Sequence, residues 1–296
     1  MRRAAFTLLE LVFVIVIMGI LAKFGVELLS QAYTSFIFSS VDNRLQSQSA
    51  AAVETIASRL QYRIKDSVIA READDDFFGL AGYSDDNATI LEWVANDIDG
   101  FRGNTAVLPH WSGIVDIDLS SSSFLISPGT DTGELNTLID ILSNTGSGIN
   151  NAAIYFVGSD SDIYTGYGWG GAITTQDVAM HPIRRSVVVG EENMLIPTNG
   201  TTGADNNFSN VDVYEYYQLA WTANAVVHTP ADGNLTLYYD YQPWEGESYT
   251  DGKSAVIMED VDTFRFRAVG SIIKIQVCVK TDLVEDYSLC KEKTVF

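Results

Sequence analysis

Apolar residues follow two regimes along this chain. From Leu11 to Ala22 every residue is uncharged and nearly all are apolar; from Ala4 to Ala22 the single charge is Glu10. Nineteen residues at about 1.5 Å each match the roughly 30 Å hydrocarbon core of a bilayer. Arg2 and Arg3 before the run, and Lys23 after it, predict a span with its N-terminus on the cytoplasmic side. Beyond Gly25 the apolar positions thin out and become periodic: Leu28, Leu29, Phe36, Val41, Leu45, Val53, Ile56, Leu60, Ile64 and Val68. Arg44, Gln48, Glu54, Arg59, Arg63 and Lys65 fill much of the rest, and no proline precedes Pro109. The spacing predicts one helix from about Phe6 to about Ala70, roughly 95 Å long. Its second half carries a stripe that must cover a sheet. A break at Ser39-Ser40 is the alternative.

Asp74-Asp75-Asp76 ends the stalk, and the next stretch is rich in Gly, Ser, Thr, Asn and Asp. Strands are expected at Thr89–Val94, Ile114–Leu119, Phe124–Ile126, Ala152–Val157 and Ser186–Val189, with a helix at Glu134–Leu142. The last third is clearer. Val211–Trp221 is β-branched and aromatic, and Pro230–Asn234 is a turn between Ala225–Thr229 and Leu235–Tyr241. Val261–Val269 and Ile272–Lys280 alternate on either side of Gly270-Ser271, which reads as a hairpin. The predicted class is α+β: a long N-terminal helix packed on an antiparallel β-sheet head. The divisions are 1–5 as a leader, 6–72 as the helix with 6–22 in the membrane, and 73–296 as the head.

Charge sharpens this picture. The formal net charge is −21. Residues 1–72 hold eight Lys/Arg and six Asp/Glu; residues 73–296 hold ten and thirty-three. A near-neutral stalk thus carries an acidic head, which repels a phosphate backbone and argues against nucleic-acid binding.

Glu10 is costly within an apolar span and marks a functional position. Phe6-Thr7-Leu8-Leu9-Glu10, after a short basic leader, resembles the class III signal of type IV pilins and type II secretion pseudopilins. In those families a leader is cut before a Phe, and the mature chain begins F-T-L-hydrophobic-E. Ala5 stands where the family usually has Gly, so cleavage between Ala5 and Phe6 is expected to be slower. Residues 211–280 resemble, at the level of pattern, the C-terminal part of larger minor pilins and J-type pseudopilins. The resemblance implies a structural subunit of a secretion pseudopilus or type IV pilus that helps initiate assembly or form the sub-tip region. It implies prepilin peptidase, other pilin-like subunits and an inner-membrane assembly platform as partners. It also implies N-methylation of Phe6, a periplasmic head, and pairing of the Phe6 amine with Glu10 of a neighbour. The alternative is a membrane-anchored periplasmic binding protein or hydrolase that does not assemble.

Cys278 and Cys290 are the two cysteines, and a head outside the cytoplasm predicts that they form a disulfide; two unrelated thiols are the alternative. Asn96-Asp97-Ile98-Asp99-Gly100 makes Asn96, Asp97 and Asp99 a candidate calcium site, although the twelfth position is Val107 rather than Glu. Solvated acidic turns are the plainer explanation. Tyr155, Tyr164, Tyr167 and Trp169, and the group from Tyr214 to Trp244, suit either contact surfaces or cross-strand packing. His110, His181 and His228 stand alone, and no nucleophile elbow, Walker loop or dinucleotide fingerprint occurs. The chain is therefore not expected to be an enzyme.

Overall fold

The computed structural model describes residues 7–103, 108–159, 162–281 and 288–296. It opens with α1, Leu8–Leu60, an uninterrupted helix of 53 residues, about 80 Å long. At Ser39-Ser40 the helix continues, and Asn43 Nδ2 donates to Ser39 O at 2.8 Å. Burial along α1 begins late. Leu45, Ser49, Ala52, Val53, Ile56, Ala57 and Leu60 are buried at a three-and-four spacing that marks one helical face.

The helix stops short of the expected Ala70. Ile64 donates its N–H to Val94 O at 2.9 Å, and Ile69–Arg71 is a strand. Ile64, Val68 and Ile69 are β-branched, and pairing with the sheet overrides the helical periodicity there.

After α1 come β1 (Ile69–Arg71), β2 (Phe77–Gly79), β3 (Ile90–Ala95), the one-turn α2 (Ile98–Arg102), β4 (Asp116–Ser121), β5 (Phe124–Ile126) and α3 (Thr132–Leu142). Then follow β6 (Ala153–Phe156), β7 (Met180–Arg185), β8 (Met194–Pro197), β9 (Tyr217–Ala220), β10 (Thr222–Thr229) and β11 (Asn234–Tyr239). The last four are β12 (Lys253–Met258), β13 (Val261–Val269), β14 (Ile272–Lys280) and β15 (Ser288–Val295).

Three antiparallel sheets result: β12-β11-β10-β3-β1-β2, β13-β14-β15 and β4-β5-β8-β7-β6-β9. The first is the middle layer. Leu91, Trp93, Val226, Leu235 and Leu237 face α1 and the β13-β14-β15 sheet. Ile90, Val94, Ala223 and Ala225 face Tyr155, Tyr167, Trp169, Tyr241 and Trp244 on the opposite side. This two-sided burial is why β3 and β10 read as apolar runs rather than alternations.

Ala95 pairs with Thr222 across the β3–β10 ladder, so residues 96–221 form one excursion from the end of the central sheet. That excursion is a curled sheet. Ile114, leading into β4, bridges Tyr216, leading into β9, and Tyr217 donates its N–H to Gly113 O at 3.0 Å. The two ends of the sheet thereby meet around a core of Trp111, Leu125, Leu135, Ile139, Phe156, Ile183 and Leu195. Arg63 bridges Ala95, whereas Arg44 shares a cleft with Pro230, Asp260 and Lys280 at the other end of the strands. The curled lobe therefore crowns the head at the end farthest from the apolar part of α1.

Two expected strands are corrected. Ser186–Val189 is an exposed loop, and the strand lies just before it, at Met180–Arg185. Val211–Trp221 contributes only Tyr217–Ala220 before it turns into β10. The hairpin at Gly270-Ser271 forms as expected, with Gly270 at φ 62°, a value that favours glycine.

Candidate functional site

In the first turn of α1 a carboxylate, Glu10, sits at the edge of a long apolar surface. Thr7 caps the helix, and its Oγ1 accepts from Glu10 N at 3.4 Å. The Glu10 carboxylate reaches back and accepts from Thr7 N at 3.2 Å and Thr7 Oγ1 at 3.1 Å. This reciprocal arrangement satisfies donors that a helix start otherwise leaves open. An acid in the first turn also meets the positive end of the helix dipole. Ala5 and Phe6, the expected processing site, lie outside the described residues.

From Leu8 to Phe38 the large apolar side chains of α1 are exposed, apart from the half-buried Ile37. The helix is long and apolar enough to span a membrane. The apolar surface does not end with the bilayer-length run: Phe24, Val26, Leu28, Leu29, Tyr33 and Phe36 are each at least 64% exposed. These side chains lie between the apolar run and Leu45, where the head begins to cover the helix.

The head encloses several polar clusters. Arg71 and Glu92 form a buried ion pair, and Tyr241 Oη donates to Glu92 Oε2 at 3.0 Å. Desolvation pushes the Glu92 carboxyl up against the pull of Arg71. Arg63, also buried, donates through Nη1 to Leu60 O at 2.8 Å and through Nη2 to Ser271 O at 3.0 Å. It ties the end of α1 to the β13–β14 turn. At the joint between lobe and central sheet, Asn151 Nδ2 donates to Glu245 Oε2 at 3.1 Å, and Trp244 Nε1 donates to Asn151 O at 2.9 Å. Gly168, at φ 86°, passes so close to the Pro243 backbone that a Cβ would overlap it.

Of the candidate calcium residues, Asn96 keeps a buried Oδ1 that has no hydrogen-bond partner among the described residues. Asp97 caps α2, accepting from Gly100 N at 3.1 Å and Trp111 Nε1 at 3.0 Å, and burial raises its pKa. Asp99 lies in the first turn of α2. Among the described residues no group of three or more His, Cys, Asp or Glu is placed to hold a metal ion.

Cys278 and Cys290 stand directly opposite each other on β14 and β15 and form a disulfide. The histidines are separate. Burial pushes His181 down to about 3, with Nδ1 3.1 Å from Gln176 Oε1, and His228 Nε2 lies 3.0 Å from Val261 O. Tyr155, Tyr167, Trp169, Tyr241 and Trp244 are core residues, while Tyr164 and Tyr216 are exposed. Arg63, Arg71, Glu92 and Glu245 carry no sequence motif; their roles come from burial alone.

No protein family, curated protein or solved structure matches this chain.

Proposed function

We propose that this chain is a pilin-like minor subunit. It would be cut before Phe6, held in the inner membrane by residues 6–22, and built through α1 into a type II secretion pseudopilus or type IV pilus. Within such a fibre it would help initiate assembly or form the sub-tip region. The observation that carries the reading is the exposed apolar surface from Phe24 to Phe38, beyond the bilayer-length run. A plain anchor needs no such surface past the membrane, and water disfavours it at about 25 cal/mol per Å². Packing against other helices would cover it.

Glu10 supplies the register in this mechanism. The amine freed at Phe6 would be a cation in an apolar setting, and Glu10 an anion one turn along. Either charge alone is costly in lipid or in a dry helix bundle. Pairing the amine of an entering subunit with Glu10 of its neighbour would satisfy both, at one axial position only.

The rival reading is a membrane-anchored periplasmic protein that never assembles. One observation favours it: the Thr7–Glu10 ring gives the carboxylate a folding role that needs no neighbour. Glu10→Ala in the full chain tests the proposal. The variant is expected to stay in the membrane fraction and to be lost from isolated fibres. Normal incorporation would sink the mechanism.

A further inference from the structure

Two charges interrupt the exposed apolar surface of α1 beyond the bilayer-length run, and the chain itself pairs neither. Lys23 and Glu27 are exposed one helical turn apart, on the same face, with Phe24, Val26, Leu28 and Leu29 around them. They line one shallow groove with Ala22, Val26, Ser30 and Gln31. Among the described residues neither side chain makes an ion pair or a hydrogen bond. Lysine before glutamate is also the poorer order for such a pair within one helix.

Helices that cover the surface from Phe24 to Phe38 would take Lys23 and Glu27 out of water with it. A charge out of water is costly unless an opposite charge meets it. The pairing proposed for the Phe6 amine and Glu10 of a neighbour sets the offset between two copies. Residue 6 of one is level with residue 10 of the other, a shift of four residues, or about 6 Å along the axis. The same shift brings Lys23 of one copy level with Glu27 of the other. In both pairs the cation belongs to the entering copy and the acid to the copy already in place. With no shift Lys23 would meet Lys23 and Glu27 would meet Glu27, and like charges repel. A second copy of this chain thus supplies the counter-charges that the chain does not supply to itself.

On the reading of α1 as a fibre-forming helix, we propose that Lys23 of one copy pairs with Glu27 of a second copy. The two helices lie in parallel, four residues out of step. The pair is a second register charge, about 25 Å along the axis from Glu10. A helix that slips by a turn, or tilts away above the first contact, cannot satisfy both pairs. Together they fix tilt as well as height. The contact joins different positions on the two copies, so it is head-to-tail rather than two-fold.

Disulfide trapping of the full chain, in membranes of cells with an active prepilin peptidase, tests this. Cys278 and Cys290 are joined, so Ala22→Cys and Val26→Cys each add one reactive thiol. Two differently tagged copies, one A22C and one V26C, are oxidised together, beside the matched pairings A22C with A22C and V26C with V26C. The mixed product is expected to exceed both matched products. K23E in the A22C copy is expected to lower the mixed product at least about tenfold, and E27K in the V26C copy to do the same. Combining the two places Glu opposite Lys between the copies and is expected to restore the product. A pair within one helix would not be restored, because each copy then holds two like charges. Absence of the mixed product, equal yields in the three pairings, or failure of the combined charges to restore it would overturn the proposal. If Glu10→Ala is still lost from fibres in that case, the fibre reading stands and this pair alone falls. Circular dichroism and recovery in the membrane fraction confirm that each variant is folded and inserted.

Discussion

Glu10 Oε2 accepts from Thr7 N at 3.2 Å, so the carboxylate at the head of the apolar run is turned back toward the helix start. That orientation gives Glu10 two separable jobs. It caps the helix, and in the proposed fibre it offers a charge to a neighbour. Glutamine at this position can still cap, because a capping box accepts Glu or Gln, but it carries no charge. Glu10→Gln is therefore expected to keep the helix content of the full chain and to enter fibres as poorly as Glu10→Ala. Quantitative immunoblotting of isolated fibres beside whole membranes checks it. Wild-type incorporation of Glu10→Gln would leave Glu10 with its capping role alone.

Arg63 bridges parts of the head that are far apart in sequence, donating to the carbonyls of Leu60, Ser271 and Phe296. Leucine would fill the space and remove the side-chain donors to Leu60 O and Ser271 O, leaving Leu60 O only the backbone N–H of residue 63. Arg63→Leu is expected to destabilise the head by roughly 2–3 kcal/mol. Faster hydrogen exchange in β13 and β14 than in β10 and β11 would show that the loss is local to the bridge. Equal exchange throughout would argue against it.

The joint between the crowning lobe and the central sheet is expected to respond to pH. Burial raises the Glu245 carboxyl from about 4.5 to about 7. A carboxyl raised on folding adds stability below its unfolded value, and that stability is lost as pH climbs through the folded value. Between pH 5 and pH 8 the wild type should therefore lose stability through this group, by roughly 2–3 kcal/mol. Glu245→Gln cannot titrate and keeps the contact with Asn151. Melting temperatures of the two proteins across this range are expected to diverge as pH rises, with the variant the more stable at pH 8. Parallel curves would contradict this.

The disulfide joins β15 to β14 across a sequence separation of 12. β15 is an edge strand of its sheet, and Lys293 Nζ meets Glu54 of α1 at 2.8 Å. Replacing both cysteines by serine is expected to cost about 3 kcal/mol. Proteolysis should then release β15 before any other strand. Retention of β15 in the reduced protein would show that its contact with α1 suffices.

Much of this architecture was legible in the sequence. The long helix, the hairpin at Gly270-Ser271, the helix near Glu134–Leu142 and the cysteine pair all follow from local pattern. Local pattern failed where a distant segment decided the outcome. Ile64 to Val68 keep helical spacing, yet Ile64 N is taken by Val94 O, and the helix ends at Leu60. Val187–Val189 have strand propensity but lie beyond the last β7–β8 pair, Arg185 with Leu195. The curled lobe was invisible because its closure, Ile114 to Tyr216, joins residues about a hundred positions apart. At the candidate site the reverse holds. Glu10 stood out as a misplaced charge, whereas Arg63, Glu92 and Glu245 look ordinary until their burial is known.

A pilin-like subunit with Glu10 as its register charge needs a mature chain that begins at Phe6. Intact mass and terminal sequencing of protein extracted from membranes with an active prepilin peptidase measure this directly. The predicted result is a chain that starts at Phe6 with a methylated amine, even though Ala5 replaces the usual glycine. A chain that still starts at Met1, or one that starts after Ala22, would contradict it: the first is a plain anchor, the second an ordinary secreted protein.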